Sequence, residues 1–163
     1  MNAHVIYDSA YGNTAKIAQA IGAGLAAQHT VTVLHLNDAA PDDLATLDLL
    51  VLGSPTQALN YTEAMGEFLG RVGDLPGVPF ATFDTRISIE HLESRGTRWL
   101  MRYVLRRYAA RPLANVLTQK GARQIAPPAG FFVTDTEGPL LDGELARATA
   151  WAEGLAVPER PTR

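Results

Sequence analysis

Cysteine is missing from all 163 residues, which excludes disulfides, thiolate nucleophiles, thiolate zinc sites and iron–sulfur ligation. No run of about 18 uncharged apolar residues is present, so no membrane-spanning helix is expected. The strand-like stretch AHVIY starts at residue 3; that leaves no room for an export leader, and a cytoplasmic protein is expected. Two phosphate-binding patterns are also absent. There is no GxxxxGK[ST] and no strand–GxGxxG–helix, so neither a nucleotide triphosphatase nor a dinucleotide site is indicated. Gly22 and Gly24 fall inside the first helix, where close packing accounts for them. The four histidines are too dispersed for a metal site. Finally, no acid lies between Arg95 and Arg123, where eight basic residues stand.

What is present is the balance of one core-forming domain. With 47% apolar and 19% charged residues, a chain of this length hides roughly two-thirds of the surface its unfolded form exposes. The formal net charge of −3 conceals the asymmetry just noted, since outside the basic segment six basic residues stand against all 17 acids. Charge blocks of this kind shape association more than fold.

Two segment types alternate. Short apolar runs at Val5–Tyr7, Thr30–Leu36, Leu49–Leu52, Phe80–Phe83 and Phe131–Val133 read as strands buried on both faces. Between them, Thr14–Ala27, Thr62–Val72, Thr97–Leu117 and Asp142–Leu155 carry helical spacing. This alternation predicts an α/β, doubly wound parallel sheet with helices on both faces, as a single domain over residues 1–157 with a basic helical insertion at about 95–120 and a flexible tail, PERPTR, at 158–163. Ligands in such sheets sit beyond the carboxyl ends of the strands. Function is therefore expected after each strand, in Asp8–Asn13, Gly53–Tyr61, Asp84–Glu93 and Thr134–Leu141.

The first of these segments carries the chemistry. Asp8-Ser9-Ala10-Tyr11-Gly12-Asn13-Thr14 runs straight into a helix, offering unpaired amides, hydroxyl donors and the positive end of a helix dipole. That combination makes an anion pocket of phosphate size. Gly12 permits positive φ or close approach of a ligand, and Ser9 and Thr14 each carry a hydroxyl donor. The plainer alternative is that Ser9, Asn13 and Thr14 only cap the helix; a cap needs one such residue, and this loop supplies three around a glycine.

Over VIYDSAYGNTAKIAQAI the chain resembles the amino-terminal signature of the flavodoxins. LLVLGSPTQ (Leu49–Gln57) resembles their third strand and its loop, FDTR ends the fourth strand, and FFVTDTEGPLLDGELARATAW resembles the carboxyl-terminal part of small flavodoxin-like proteins. The resemblance implies a five-stranded sheet of order 2-1-3-4-5 that binds FMN. It places the phosphate on Ser9, Tyr11, Gly12, Asn13 and Thr14, with the ring between Ser54, Pro55, Thr56, Gln57, Asn60 and Tyr61 on one side and Asp84, Thr85 and Arg86 on the other. It implies a redox protein whose electrons pass to a partner protein or a quinone-like acceptor; a one-electron carrier and a non-catalytic flavin-binding module are the alternatives. Two departures favour the acceptor. Asp84–Glu93 contains no tyrosine or tryptophan to cover the ring, and Arg86 interrupts the acidic rim of the carriers, where it either faces the flavin as a cation or pairs with Asp84, Glu90 or Glu93.

In the basic segment, Arg95, Arg98, Arg102 and Arg106 share one stripe at about 100° per residue, flanked by Trp99 and Tyr103, with Leu100, Val104 and Tyr108 opposite. Pro112 is expected to kink or end that helix. Arg98, Trp99, Arg102 and Arg106 are candidates for docking an anionic membrane surface or an acidic protein; a solvated helix face is the alternative. Nucleic acid is not an expected partner, because the stripe has no lysine and the rest of the protein repels phosphate.

Overall fold

The computed structural model describes residues 1–88 and 108–158. In chain order these form β1 (Asn2–Tyr7), α1 (Asn13–Leu25), β2 (Thr30–His35), 3₁₀ turns at Leu36–Asp38 and Pro41–Thr46, β3 (Leu49–Pro55), α2 (Glu63–Arg71), β4 (Pro79–Ile87), α3 (Ala110–Gln119), β5 (Arg123–Gln124), β6 (Ala129–Val133) and α4 (Glu144–Glu153). The strands are parallel in the order β2-β1-β3-β4-β5, with β6 also on β4. The doubly wound 2-1-3-4-5 sheet is thus the one expected. β5 pairs the start of β4 and β6 its end, Phe83–Ile87. The fifth line of the sheet is therefore broken in two, and Pro127-Pro128 between the halves explains the break, since proline has no N–H for the ladder.

Alternation along the strands builds a core on each face. Ile6, Leu50, Leu52 and Phe80 meet Met65 and Phe68 of α2 and Leu113 and Leu117 of α3. Ala3, Val5, Leu49, Val51 and Phe83 meet Ile17 and Ile21 of α1 and Ala148 of α4. The two glycines of α1 serve packing: a Cβ on Gly22 would lie 2.5 Å from Val33 Cγ2, and one on Gly24 2.5 Å from the Thr149 carbonyl of α4.

The structure corrects three boundaries. β3 and β4 run on to Pro55 and Ile87, so Ser54, Pro55, Asp84, Thr85 and Arg86 lie on strands rather than in loops. Polar residues sit there because strand pairing continues, Ser54 opposite Asp84 and Asp84 opposite Gly130, under the starts of α2 and α3, whose Thr62 and Ala110 amides Ser54 and Asp84 accept. The helix expected over Thr97–Leu117 is described from Ala110 to Gln119. Pro112 neither ends nor kinks α3 but sits in its first turn, where the missing N–H has no intrahelical partner to lose. Arg98, Trp99, Arg102 and Arg106 lie outside the described residues.

A polar clasp fixes the start of α4. Glu144, itself buried, accepts the Phe132 amide at 2.7 Å and pairs with Arg147, whose guanidinium also donates to the Gly130 carbonyl at 2.6 Å and lies over the Phe131 ring. Burial pushes the Glu144 pKa up, but the Arg147 and Phe132 bonds and the Arg147 charge outweigh it and hold it below its ordinary value of 4.5. A carboxyl with a depressed folded-state pKa stabilises above its unfolded value and loses that contribution as pH falls through the folded one. Urea midpoints at pH 7 and in the acid range should therefore drop less for Glu144→Gln than for the wild type. Equal drops would show that this carboxyl does not carry the acid sensitivity.

Candidate functional site

The turn after β1 is organised by its own side chains. The Ser9 hydroxyl accepts the amides of Gly12 at 3.1 Å and Ala15 at 3.4 Å, while Gly12, at φ 85°, turns the chain into α1. The Ser9 amide goes to Asp8 Oδ1 at 2.8 Å, and the other Asp8 oxygen accepts the Thr62 hydroxyl. Among the described residues, the amides of Ala10, Tyr11, Asn13 and Thr14 have no hydrogen-bond partner. Four free amides at a helix start, with a Ser9 hydroxyl hydrogen left to donate, form a donor set that fits a phosphate. Ser9 therefore organises the turn, and neither it nor Asn13 acts as a simple helix cap: the cap position is Gly12, without a side-chain bond.

Asn13 and Thr14 are spent differently. Asn13 Nδ2 donates to the Glu137 carbonyl at 2.9 Å, and Gly138, at φ 99°, presses against the amide so closely that a Cβ there would lie 2.5 Å from Nδ2. Asn13 thus locks the 134–141 loop beside α1. Thr14, buried, shares a hydrogen bond of 2.8 Å with Thr85 Oγ1 of β4. The Thr85 carbonyl accepts the Thr56 amide at 2.9 Å, and Thr56 Oγ1 accepts the Ala109 amide at 3.2 Å. One chain of bonds therefore ties the anion turn to β4, to the end of β3 and to the start of α3.

These elements enclose a cleft at the carboxyl edge of the sheet. Of the expected residues, Tyr11, Asn13, Thr14, Pro55, Thr56, Thr85 and Arg86 line it. Others do not reach it. Ser54 is fully buried, its hydroxyl bonded to the Pro55 carbonyl and the Thr62 amide, so it closes the loop. Gln57 and Asn60 exchange backbone bonds of 2.9 Å around a two-residue tip, Ala58-Leu59, held at φ 46° and 66°. Tyr61 packs against the core and over Gly66. Ile87, Val133 and Thr136 join the lining without having been singled out; Thr136 lies in the fourth of the loops that the strand-end rule picks out.

Asp84 and Arg86 form a clamp. Asp84, with no exposed surface, receives Arg86 Nε at 2.6 Å, Arg86 Nη2 at 2.7 Å and the Ala110 amide at 3.0 Å. The guanidinium lies over the Tyr108 ring, 3.7 Å from its centroid, and a Cβ on Gly130 would overlap it at 2.2 Å from Cζ. Burial raises the Asp84 pKa despite Arg86 and Ala110, and burial likewise pushes the Tyr108 phenol up to about 12. Asp84 thus anchors Arg86 and α3. Arg86 is an ion-paired guanidinium at the cleft wall rather than an isolated cation.

A flavodoxin-domain family model matches residues 4–120. Over 51 residues the chain is 45% identical to an NAD(P)H dehydrogenase (quinone) of Acidithiobacillus ferrooxidans, a stretch covering 31% of this chain and 26% of that relative. The fold superposes on flavodoxin 2 of Bacillus cereus with a TM-score of 0.73 at 20% identity, covering 93% of this chain and 95% of that one. A flavodoxin from the Archaea gives 0.69 at 21% identity, covering 95% and 96%. Together with the parallel sheet and the anion turn after β1, the family match shows that this chain belongs to the flavodoxin domain family.

Proposed function

We propose that the cleft binds FMN, one per chain and non-covalently, and that the protein reduces a quinone-like acceptor. The observation that carries the reading is the set of four free amides and the Ser9 hydroxyl at the start of α1, opening into a cleft at the sheet edge. Ala10, Tyr11, Asn13 and Thr14 would hold the phosphate through their backbone, and Pro55, Thr56, Thr85 and Arg86 would border the rest. When bound, FMN supplies the two-electron chemistry by which a reduced nicotinamide gives a hydride equivalent, solvent gives a proton and the quinone leaves as its hydroquinone.

The chain's own contribution is placement. Thr14, Thr85, Thr56 and Ala109 fix the two loops to each other, so the phosphate turn and the ring loop keep one spacing. Tyr61, half-buried, packs against the core, and among the described residues lining the cleft only Tyr11 is aromatic. Among the described residues nothing else stacks an aromatic ring on a flavin there, which supports reduction of a small molecule over one-electron carriage between proteins. The quinone-reducing relative agrees, over a quarter of its own length.

Titration of the protein with FMN should show one site per chain and flavin absorbance near 450 nm, roughly. Reductive titration of the loaded protein should proceed in one two-electron step, and NADH or NADPH should support turnover against a quinone panel. A folded protein that takes up no FMN overturns the reading; two well-separated one-electron steps without quinone turnover would make it a carrier.

A further inference from the structure

We propose that Arg86, with Tyr11 and Ile87, forms a binding subsite for a planar acceptor that carries an anionic oxygen beside its carbonyl, such as an acidic hydroxyquinone. The inference rests on the reading of the cleft as a flavin site and names the acceptor that site selects. Large apolar side chains are seldom exposed among the described residues, yet Tyr11 at 55% and Ile87 at 47% both border this one cleft. They offer a flat ligand two apolar edges that lie exposed among the described residues.

Arg86 adds direction. Its Nε and one Nη2 hydrogen are taken by Asp84, and the ring of Tyr108 and the backbone of Gly130 fix the plane of the guanidinium. Of five N–H donors, two are thereby used and three remain, with no partner among the described residues. A guanidinium held on three sides loses little further freedom when it donates, which favours a planar oxygen ligand over a spherical ion. Asp84 balances the charge from the buried side, so the attraction acts at hydrogen-bond range and not at long range.

The probes are a matched pair, 2-hydroxy-1,4-naphthoquinone, anionic at neutral pH, and uncharged 1,4-naphthoquinone. Binding to the FMN-loaded, oxidised protein is read by calorimetry without any electron donor. The wild type should bind the anionic quinone about tenfold more tightly, the worth of a hydrogen bond to a charged group. Arg86→Gln, measured on protein brought to full FMN loading by its flavin absorbance, should abolish that ratio. Because Arg86→Gln leaves Asp84 buried and unpaired, the double variant Asp84→Asn with Arg86→Gln is measured beside it and should lose the ratio too. Equal affinities for the two quinones in the wild type, or a ratio unchanged in a folded variant, overturn the subsite alone. Failure of the wild type to take up FMN overturns the flavin reading, and the subsite with it.

Discussion

Asp84→Ala should destabilise the protein by about 3–5 kcal/mol in urea unfolding, the usual cost of removing one partner of a buried ion pair. The carboxylate satisfies three donors at once, Arg86 Nε, Arg86 Nη2 and the Ala110 amide. Its loss leaves a guanidinium that is 16% exposed without its counter-charge and opens the first turn of α3. The size of the loss measures the penalty of an orphaned charge, not the net worth of the pair. Replacing both partners by apolar residues of similar volume, Asp84→Leu with Arg86→Met, should therefore recover at least half of it, the Ala110 amide being the group still unpaired. A loss below about 1 kcal/mol for Asp84→Ala would mean that the clamp does not form in solution. In variant protein brought to full FMN loading, the preference between the two naphthoquinones should weaken as the guanidinium gains freedom.

The anion turn was legible because its signals are local, and the sheet order because the resemblance to the flavodoxins implies it. Gly12, Asn13 and Thr14 follow a three-residue apolar run and precede a helical period, so strand, turn and helix start are all written within a few neighbouring residues. The clamp was not legible, since its members come from separate stretches: the Ala110 amide lies 26 residues beyond Asp84, and Tyr108 reaches Arg86 from just before that helix. The resemblance sets Arg86 beside a flavin and its acidic neighbours offer an ion pair; the pair with Asp84 forms because Gly130, opposite Asp84, leaves room for the guanidinium to fold back over the sheet. Ser54 and Tyr61 do not line the cleft, for a related reason. A hydroxyl or an aromatic after a strand satisfies the pattern whichever way it points, and here Ser54 is consumed by the Thr62 amide and Tyr61 by the core. The carboxyl-terminal segment showed the reverse: GPLLDGELAR carries Gly138, Glu144 and Arg147, and all three turn out to hold loops and helix in place around the cleft.

Gly53→Ala should cost about 3 kcal/mol, the upper end of the range for overpacking a core. Gly53 follows the apolar run of β3, and a Cβ there would lie 2.0, 2.3 and 2.5 Å from three ring carbons of Phe83. That ring has nowhere to retreat: Phe83 is fully buried and packs edge-on against Phe131, which in turn packs edge-on against Trp151. The backbone has little more freedom, since the Gly53 carbonyl accepts the Asp8 amide at 3.0 Å and the next residues pair Ser54 with Asp84 and Pro55 with Thr85. Any shift of β3 that relieves the clash is therefore passed to Asp8, at the entrance of the anion turn, and to Pro55 and Thr56 in the cleft wall. Gly53→Ala should accordingly weaken FMN uptake although residue 53 touches no ligand. Shrinking the obstructing ring separates the two contributions. In the double variant with Phe83→Leu, the stability loss should fall short of the sum of the single losses by about 1 kcal/mol or more, the signature of two residues that share one volume. Strict additivity would show that the ring yields elsewhere, and that the glycine is kept for the conformation of β3 and not for the room it leaves to Phe83.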